Sequence, residues 1–249
     1  MPLTKKMEIV DIKCAKYDPS RSINHMPQNL KETLIDIAKD LQVKGDPSHD
    51  FQHVLRVLNL ATKIGKSVDA DPDVVIPAAL FHDIIVYRKD SPQSKNEADE
   101  SAEIAMRELT RIDGYPKEKI EDVKICIKEC SFSKGILPTL LESKVLQDAD
   151  RLEATGAISI MRTFSSCGQM DRPLYDPNDP FCKNGSQQFK SGIDLFYRRL
   201  LIVEKTMHTK LAKKMARSRT KFLRSFLAQL ERELVESDII VKEYMSRNK

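Results

Sequence analysis

The chain has 249 residues, a formal net charge of +4, 41% apolar and 31% charged side chains. That length suits one large core or two small ones, because single cores stop growing beyond about 250 residues. No apolar run approaches the roughly 18 residues a membrane-crossing helix needs, and five scattered cysteines, odd in number, do not make a disulfide scaffold.

The first sixteen residues alternate charges (Lys5, Lys6, Glu8, Asp11, Lys13) and lack the apolar block of a secretory signal, so a cytoplasmic protein with no membrane partner is expected. Segment 1–26 reads as a tail. The first predicted helix covers 27–43, with Leu30, Leu34, Ile37, Ala38 and Leu41 as its stripe and Gly45-Asp46-Pro47 as its stop. A second begins near Ser48, carries Val54, Leu55, Val57, Leu58 and Ala61, and closes around Gly65.

Asp71-Pro72 announces a third helix, since Asp caps and Pro suits the first turn; it is expected to run to about Val86. Polar 89–95, with Pro92, reads as a loop, and 97–112 as an amphipathic helix built on Ala98, Ala102, Ala105, Met106 and Leu109. Pro116 opens a fifth helix to about Cys130, on which Cys126 and Cys130 share a face. Two buried cysteines is the favoured reading there, over a soft-metal site.

A sixth helical region covers 142–165, kinked near Gly156. Segment 168–192 is rich in Pro, Asp, Asn, Gly and Ser, and structureless stretches of that length usually serve a function or stay disordered. A long helix or helix pair over 189–244 follows, with Met207, Leu211, Met215, Phe222, Phe226, Leu230 and Leu234 as its stripe, packed on its own domain rather than paired in a coiled coil. Lys205, Lys210, Lys213, Lys214, Arg217, Arg219, Lys221 and Arg224 crowd its first half without one acid. A solvated face is the favoured reading, and a basic rim for polyanions the other. The architecture expected is all-α.

Three segments carry chemistry. Asp50, His53 and Arg56 fall at i, i+3 spacing, hence near one helix face. His82-Asp83 places an imidazole beside a carboxylate inside an apolar run, where an ionised Asp costs several kcal/mol unless paired or metal-bound. Gln147-Asp148-Ala149-Asp150-Arg151 adds two more acids, but residues two apart on a helix point to nearly opposite sides, so one of Asp148 and Asp150 enters a given site. Two imidazoles and two carboxylates, completed by water, suit manganese, magnesium, iron or zinc; composition does not choose among them.

A His, a later His-Asp doublet and a distant Asp resemble the signature of the HD-domain phosphohydrolase superfamily. Ser48-His49-Asp50-Phe51-Gln52-His53-Val54-Leu55-Arg56-Val57, Phe81-His82-Asp83-Ile84, Gln147-Asp148-Ala149-Asp150-Arg151-Leu152-Glu153-Ala154-Thr155-Gly156-Ala157 and Arg172-Pro173-Leu174-Tyr175-Asp176 are similar, more closely, to the small single-domain subfamily that includes nucleotide pyrophosphohydrolases. The resemblance implies a single helical-bundle domain over 27–249, with metal motifs within 48–154, a lid-like loop at 168–192 and C-terminal helices over 193–245. It implies metal ligation by His53, His82, Asp83 and the Asp that follows Ala, favouring Asp150 and leaving Asp148 as a supporting or capping group.

No His lies between His82 and His208, and Glu129-Cys130-Ser131 stands where two-metal members carry further histidines, so one divalent ion is expected. The doublet continues as Ile84-Ile85-Val86, without the acids of the alarmone hydrolases or the nucleotidase-type Glu. Hydrolysis of nucleoside triphosphates to monophosphate and pyrophosphate is the leading expectation. Monophosphate phosphatase or phosphodiesterase activity is the alternative, and a non-catalytic nucleotide- or nucleic-acid-binding protein the third reading. Asp50 and Glu100 are candidates to orient or deprotonate water, Arg56 and Arg151 to offset phosphoryl charge, and Lys134, Arg172 and Lys190 to contact substrate.

Overall fold

The computed structural model describes residues 26–42, 50–87, 91–131, 134–183 and 189–237. Residues 1–25 of the expected tail 1–26, the loop around Gly45-Asp46-Pro47 and the end of the last helix beyond 237 lie outside them, whereas Met26 is buried in the core. Helices α1 (Gln28–Leu41), α2 (Phe51–Val68), α3 (Pro72–Phe81), α4 (Glu97–Arg111), α5 (Ile120–Cys130), α6 (Leu141–Glu153), α7 (Gly156–Gln169), the single turn α8 (Gly192–Leu195) and α9 (Lys210–Glu236) follow in order. No strand occurs among the described residues, so the architecture is all-α as the periodicity predicts.

The main core lies among α1 to α6, joined by Val203, Met207, Ala212 and Ala216 from the turn before α9 and its first turns. Leu34, Ile64, Leu80, Phe81, Ile84, Leu109, Ile127, Leu146 and Leu152 are fully enclosed there, each worth about 1.5–3 kcal/mol of transfer free energy. Cys126 and Cys130 are buried as apolar residues of this core. A second cluster, Ile193, Phe196, Leu200, Leu201, Leu223 and Leu227, seats α8 and the turn after it on α9 and α7. The last helix packs back on α7, α6 and α2, not outward as a coiled-coil arm.

Three differences from the expected elements in the first half of the chain have local causes. The second helix starts at Phe51 because the Asp50 carboxylate accepts the His53 amide 2.9 Å away and caps it there. The third ends at Phe81, five residues early, because side chains of α4 take over the backbone beyond it. Ser101 Oγ accepts the Ile85 amide at 3.1 Å, and Glu97 accepts the Tyr87 amide at 2.7 Å. Segment 92–96, read as loop, is a 3-10 turn capped by Ser91.

The C-terminal helix of the expectation is broken. A π turn (Phe196–Leu200) and a 3-10 turn (Val203–Thr206) precede α9, which begins only at Lys210. The buried face of α9 is Ala212, Ala216, Thr220, Leu223, Leu227 and Leu234, about one position off the predicted stripe, and Phe222 stands 49% exposed. The predicted kink near Gly156 is a full break: Gly156 has φ +75°, and Arg219 from α9 donates to Leu152 O at 2.7 Å, closing the end of α6.

Candidate metal centre

Antiparallel packing of α2 on α6, with the end of α3 against both, brings the predicted ligands together. His53 sits one turn into α2, His82 and Asp83 in the turn that ends α3, and Asp150 in the last turn of α6. His53 Nε2 lies 3.4 Å from Asp83 Oδ2 and 3.5 Å from Asp150 Oδ1; His82 Nε2 lies 3.6 Å and 3.9 Å from the same two oxygens. Ligand atoms of His53, His82 and Asp150 all fall within 4.8 Å of one another. The imidazoles form the buried floor, 0% and 2% exposed, whereas both carboxylates are 25% exposed and form the mouth.

The chemistry of this donor set fits a divalent cation. His82 Nδ1 is 2.9 Å from Ala79 O, a contact that requires Nδ1 to carry the proton and leaves Nε2 as the lone-pair nitrogen. That Nε2 is buried and has no hydrogen-bond partner among the described residues, a costly state for a polar atom unless something else binds it. Burial works against protonating His53, but its contacts with Asp83 and Glu153 outweigh this and hold its pKa above the ordinary value, against the opposing charge of Arg162.

Asp148, two residues before Asp150, turns the other way. It is fully buried and accepts the backbone amides of His208 at 2.7 Å and Thr209 at 2.8 Å, so it holds the chain where α9 begins. Beside it Gln147 donates to Glu129 O and Ile136 O while its Oε1 faces His208 Nε2 at 2.9 Å.

The other predicted residues divide between the rim and the periphery. Arg56 Nε donates to Glu153 at 2.7 Å in an ion pair. Arg151 donates to Thr206 O at 2.8 Å and ties α6 to the turn before α9. Asp50 serves as the cap of α2, and Glu100 accepts the Tyr87 hydroxyl at 2.7 Å beyond the doublet. Lys134 is paired with Asp99 at 2.6 Å on the surface, Arg172 is half-buried behind α7, and Lys190 is exposed before α8.

The expected lid is tethered in the part described. Gly192 and Ile193 donate to Pro173 O and Leu174 O, and Phe181 is buried against Leu234, Tyr175 and Tyr197. Position 192 also requires glycine, because a Cβ there would stand 2.8 Å from Phe164 and 3.1 Å from Leu174 O.

Sequence reasoning missed Arg162 and Arg199. The charge of Arg162 acts on His53, and Arg199, presented by the π turn, is half-buried; desolvation lowers its pKa while the charge of Asp150 opposes the fall. No spacing signal ties either to the motifs. The one local clue is the π turn itself, a geometry frequent at functional sites. Cys130, enclosed behind the cluster, has its thiol pushed well above the ordinary range by burial and then by Asp150 and Asp83.

Helices that bury two imidazoles and open two carboxylates toward solvent define a member of the helical, His/Asp metal-site class. The HD domain family matches residues 50–155. Bacillus subtilis YpgQ, an uncharacterized protein, is 33% identical over 190 residues, 75% of this chain and 84% of its own. Its crystal structure in complex with ADP superposes with TM-score 0.63 at 27% identity, over 82% of this chain and 95% of that one. An HD-superfamily hydrolase from Bacillus thuringiensis gives TM-score 0.61 at 28% identity, over 83% and 97%. The chain belongs to the HD-domain family, among the HD-superfamily hydrolases. No helix among the described residues is long and apolar enough to cross a membrane.

Proposed function

We propose that this chain is a metal-dependent phosphohydrolase that converts nucleoside triphosphates to monophosphate and pyrophosphate, with His53, His82, Asp83 and Asp150 holding one divalent ion. The observation that carries this reading is the convergence of the two imidazole Nε2 atoms and two carboxylate oxygens within 3.4–3.9 Å across three helices. A cation bound there supplies Lewis acidity toward a phosphoryl oxygen and acidifies water near neutral pH.

The chain's own residues do the rest. Asp83 and Asp150 face the mouth, so an incoming phosphate meets them first and is repelled unless their charge is neutralised. Arg162 and Arg199 bring positive charge to the same cluster and offset the charge that spreads over the phosphoryl oxygens in the transition state. The nucleotide reading draws on YpgQ, whose solved structure is in complex with ADP.

The test is a panel of nucleoside tri-, di- and monophosphates with manganese, magnesium, iron(II) or zinc, the products identified by mass spectrometry. Pyrophosphate plus monophosphate is the expected outcome. Orthophosphate from monophosphates would replace this reading with a phosphatase, and absence of turnover with every cation would sink it.

A further inference from the structure

We propose that Glu153 is the positioning residue of this centre. Clamped by Arg56, it holds the His53 imidazole with its proton on Nδ1, so that Nε2 offers a lone pair to the cation. The inference rests on the metal-centre reading above and adds a residue that acts through His53 rather than on substrate.

The geometry is a pair of facing i, i+3 steps. On α2, His53 and Arg56 are one turn apart; on α6, Asp150 and Glu153 are one turn apart. Asp150 Oδ1 stands 3.5 Å from His53 Nε2, while Glu153 Oε2 stands 3.5 Å from His53 Nδ1, so one helix addresses both nitrogens of one ring. The same Oε2 accepts from Arg56 Nε at 2.7 Å.

Glu153 is 1% exposed, and a carboxylate enclosed to that degree needs partners. Its pairing with the Arg56 guanidinium is that of an ionised carboxylate. An ionised carboxylate only accepts, so Nδ1 must be the donor. Imidazoles that ligate metals are commonly oriented in this way through their other nitrogen.

The contrast with His82 shows why Glu153 matters. His82 Nδ1 faces the Ala79 carbonyl, so its tautomer is set by the backbone and survives any side-chain change. His53 Nδ1 instead faces a side chain, Glu153, which is itself held by a guanidinium.

The isosteric variant Glu153→Gln tests this, with two measurements on the full chain. Imidazole nitrogen NMR of the metal-free protein, at a pH high enough to make His53 neutral, should show the ring as the Nδ1–H tautomer in the parent and a mixed or reversed tautomer in the variant. Manganese binding, followed by the EPR signal of free ion, should weaken by about 10- to 100-fold, with the metal-free melting curve little moved. An unchanged His53 tautomer, or unchanged manganese affinity beside a normally binding parent, overturns the role given to Glu153. A parent that takes up no manganese, zinc or iron(II) overturns the metal reading itself, whatever the NMR shows. If Glu153→Gln does not fold, Arg56→Gln replaces it: a smaller affinity loss in the same direction is expected, and parental affinity refutes the clamp.

Discussion

The body formed by α1 to α6 and the cap formed by α7 to α9 are built on different terms, and α6 belongs to both. In the body, long apolar stripes close one large continuous core, to which the start of α9 also contributes. The cap has smaller apolar clusters and a π turn, and it holds most of the exposed large apolar side chains described, Met161, Leu174, Phe189, Ile202 and Phe222. The family match stops at residue 155, where α6 gives way to α7. On the proposed reading body and cap divide the work: the body would supply the ligands, and the cap adds the charges of Arg162 and Arg199. Asp148 and Asp150 show the division on one helix, because about 100° of rotation per residue sends the first toward the cap and the second into the cluster.

The sharpest way to break that comparison is to remove each aspartate in turn. Asp150→Ala takes away a ligand and leaves the cap's anchor intact. We expect hydrolysis to fall by at least about 10³-fold, several kcal/mol of lost electrophilic stabilisation at 1.36 kcal/mol per factor of ten. Manganese binding should weaken with it, and the melting curve should hardly change. His82→Ala and Asp83→Ala should behave alike, and retention of parental activity by any of the three would exclude that residue as a ligand.

Asp148→Ala should do the reverse. It strands the buried amides of His208 and Thr209, which each lose a charge-assisted partner. The expected cost is about 2–4 kcal/mol of stability, read from chemical denaturation, with metal affinity close to parental. If Asp148→Ala loses the metal while staying folded, the two aspartates have been assigned the wrong way round.

The legibility of the sequence follows the same boundary. His53, the His82-Asp83 doublet and the Asp148/Asp150 pair could be read because ligation demands particular residue types, and helical rotation separates the two acids without knowledge of the fold. Asp71-Pro72 marked the start of α3 because capping is local. The end of α3 was not legible: the backbone after Phe81 is satisfied by Ser101 and Glu97, partners up to sixteen positions away that no periodicity reveals. Arg162 and Arg199 stayed hidden for a related reason, since their approach to the cluster depends on how the cap docks.

The junction between the regions can be probed more gently at Gly156. Its φ of +75° suits glycine, and a Cβ there would stand 3.2 Å from Arg219 Cβ and Cγ. Gly156→Ala should cost about 1–2 kcal/mol from the left-handed backbone alone. Displacing Arg219 should also loosen the bond that closes α6 at Leu152 O. Equal stability of variant and parent would mean that cap and body are not coupled through this contact.

The smallest effect is expected at Asp50, and it separates a cap from a catalyst. The carboxylate accepts the His53 amide, so Asp50→Ala should cost about 1 kcal/mol, the ordinary value of a helix N-cap. Asp50→Ser should restore most of that, because a hydroxyl can cap α2 but cannot take a proton from water at neutral pH. If Asp50 instead serves as a general base, both variants should lose about 10²- to 10⁴-fold in turnover at unchanged stability. The serine variant decides between them. With the cap restored, His53 keeps its place in the first turn of α2, and any remaining loss of activity must come from the missing carboxylate.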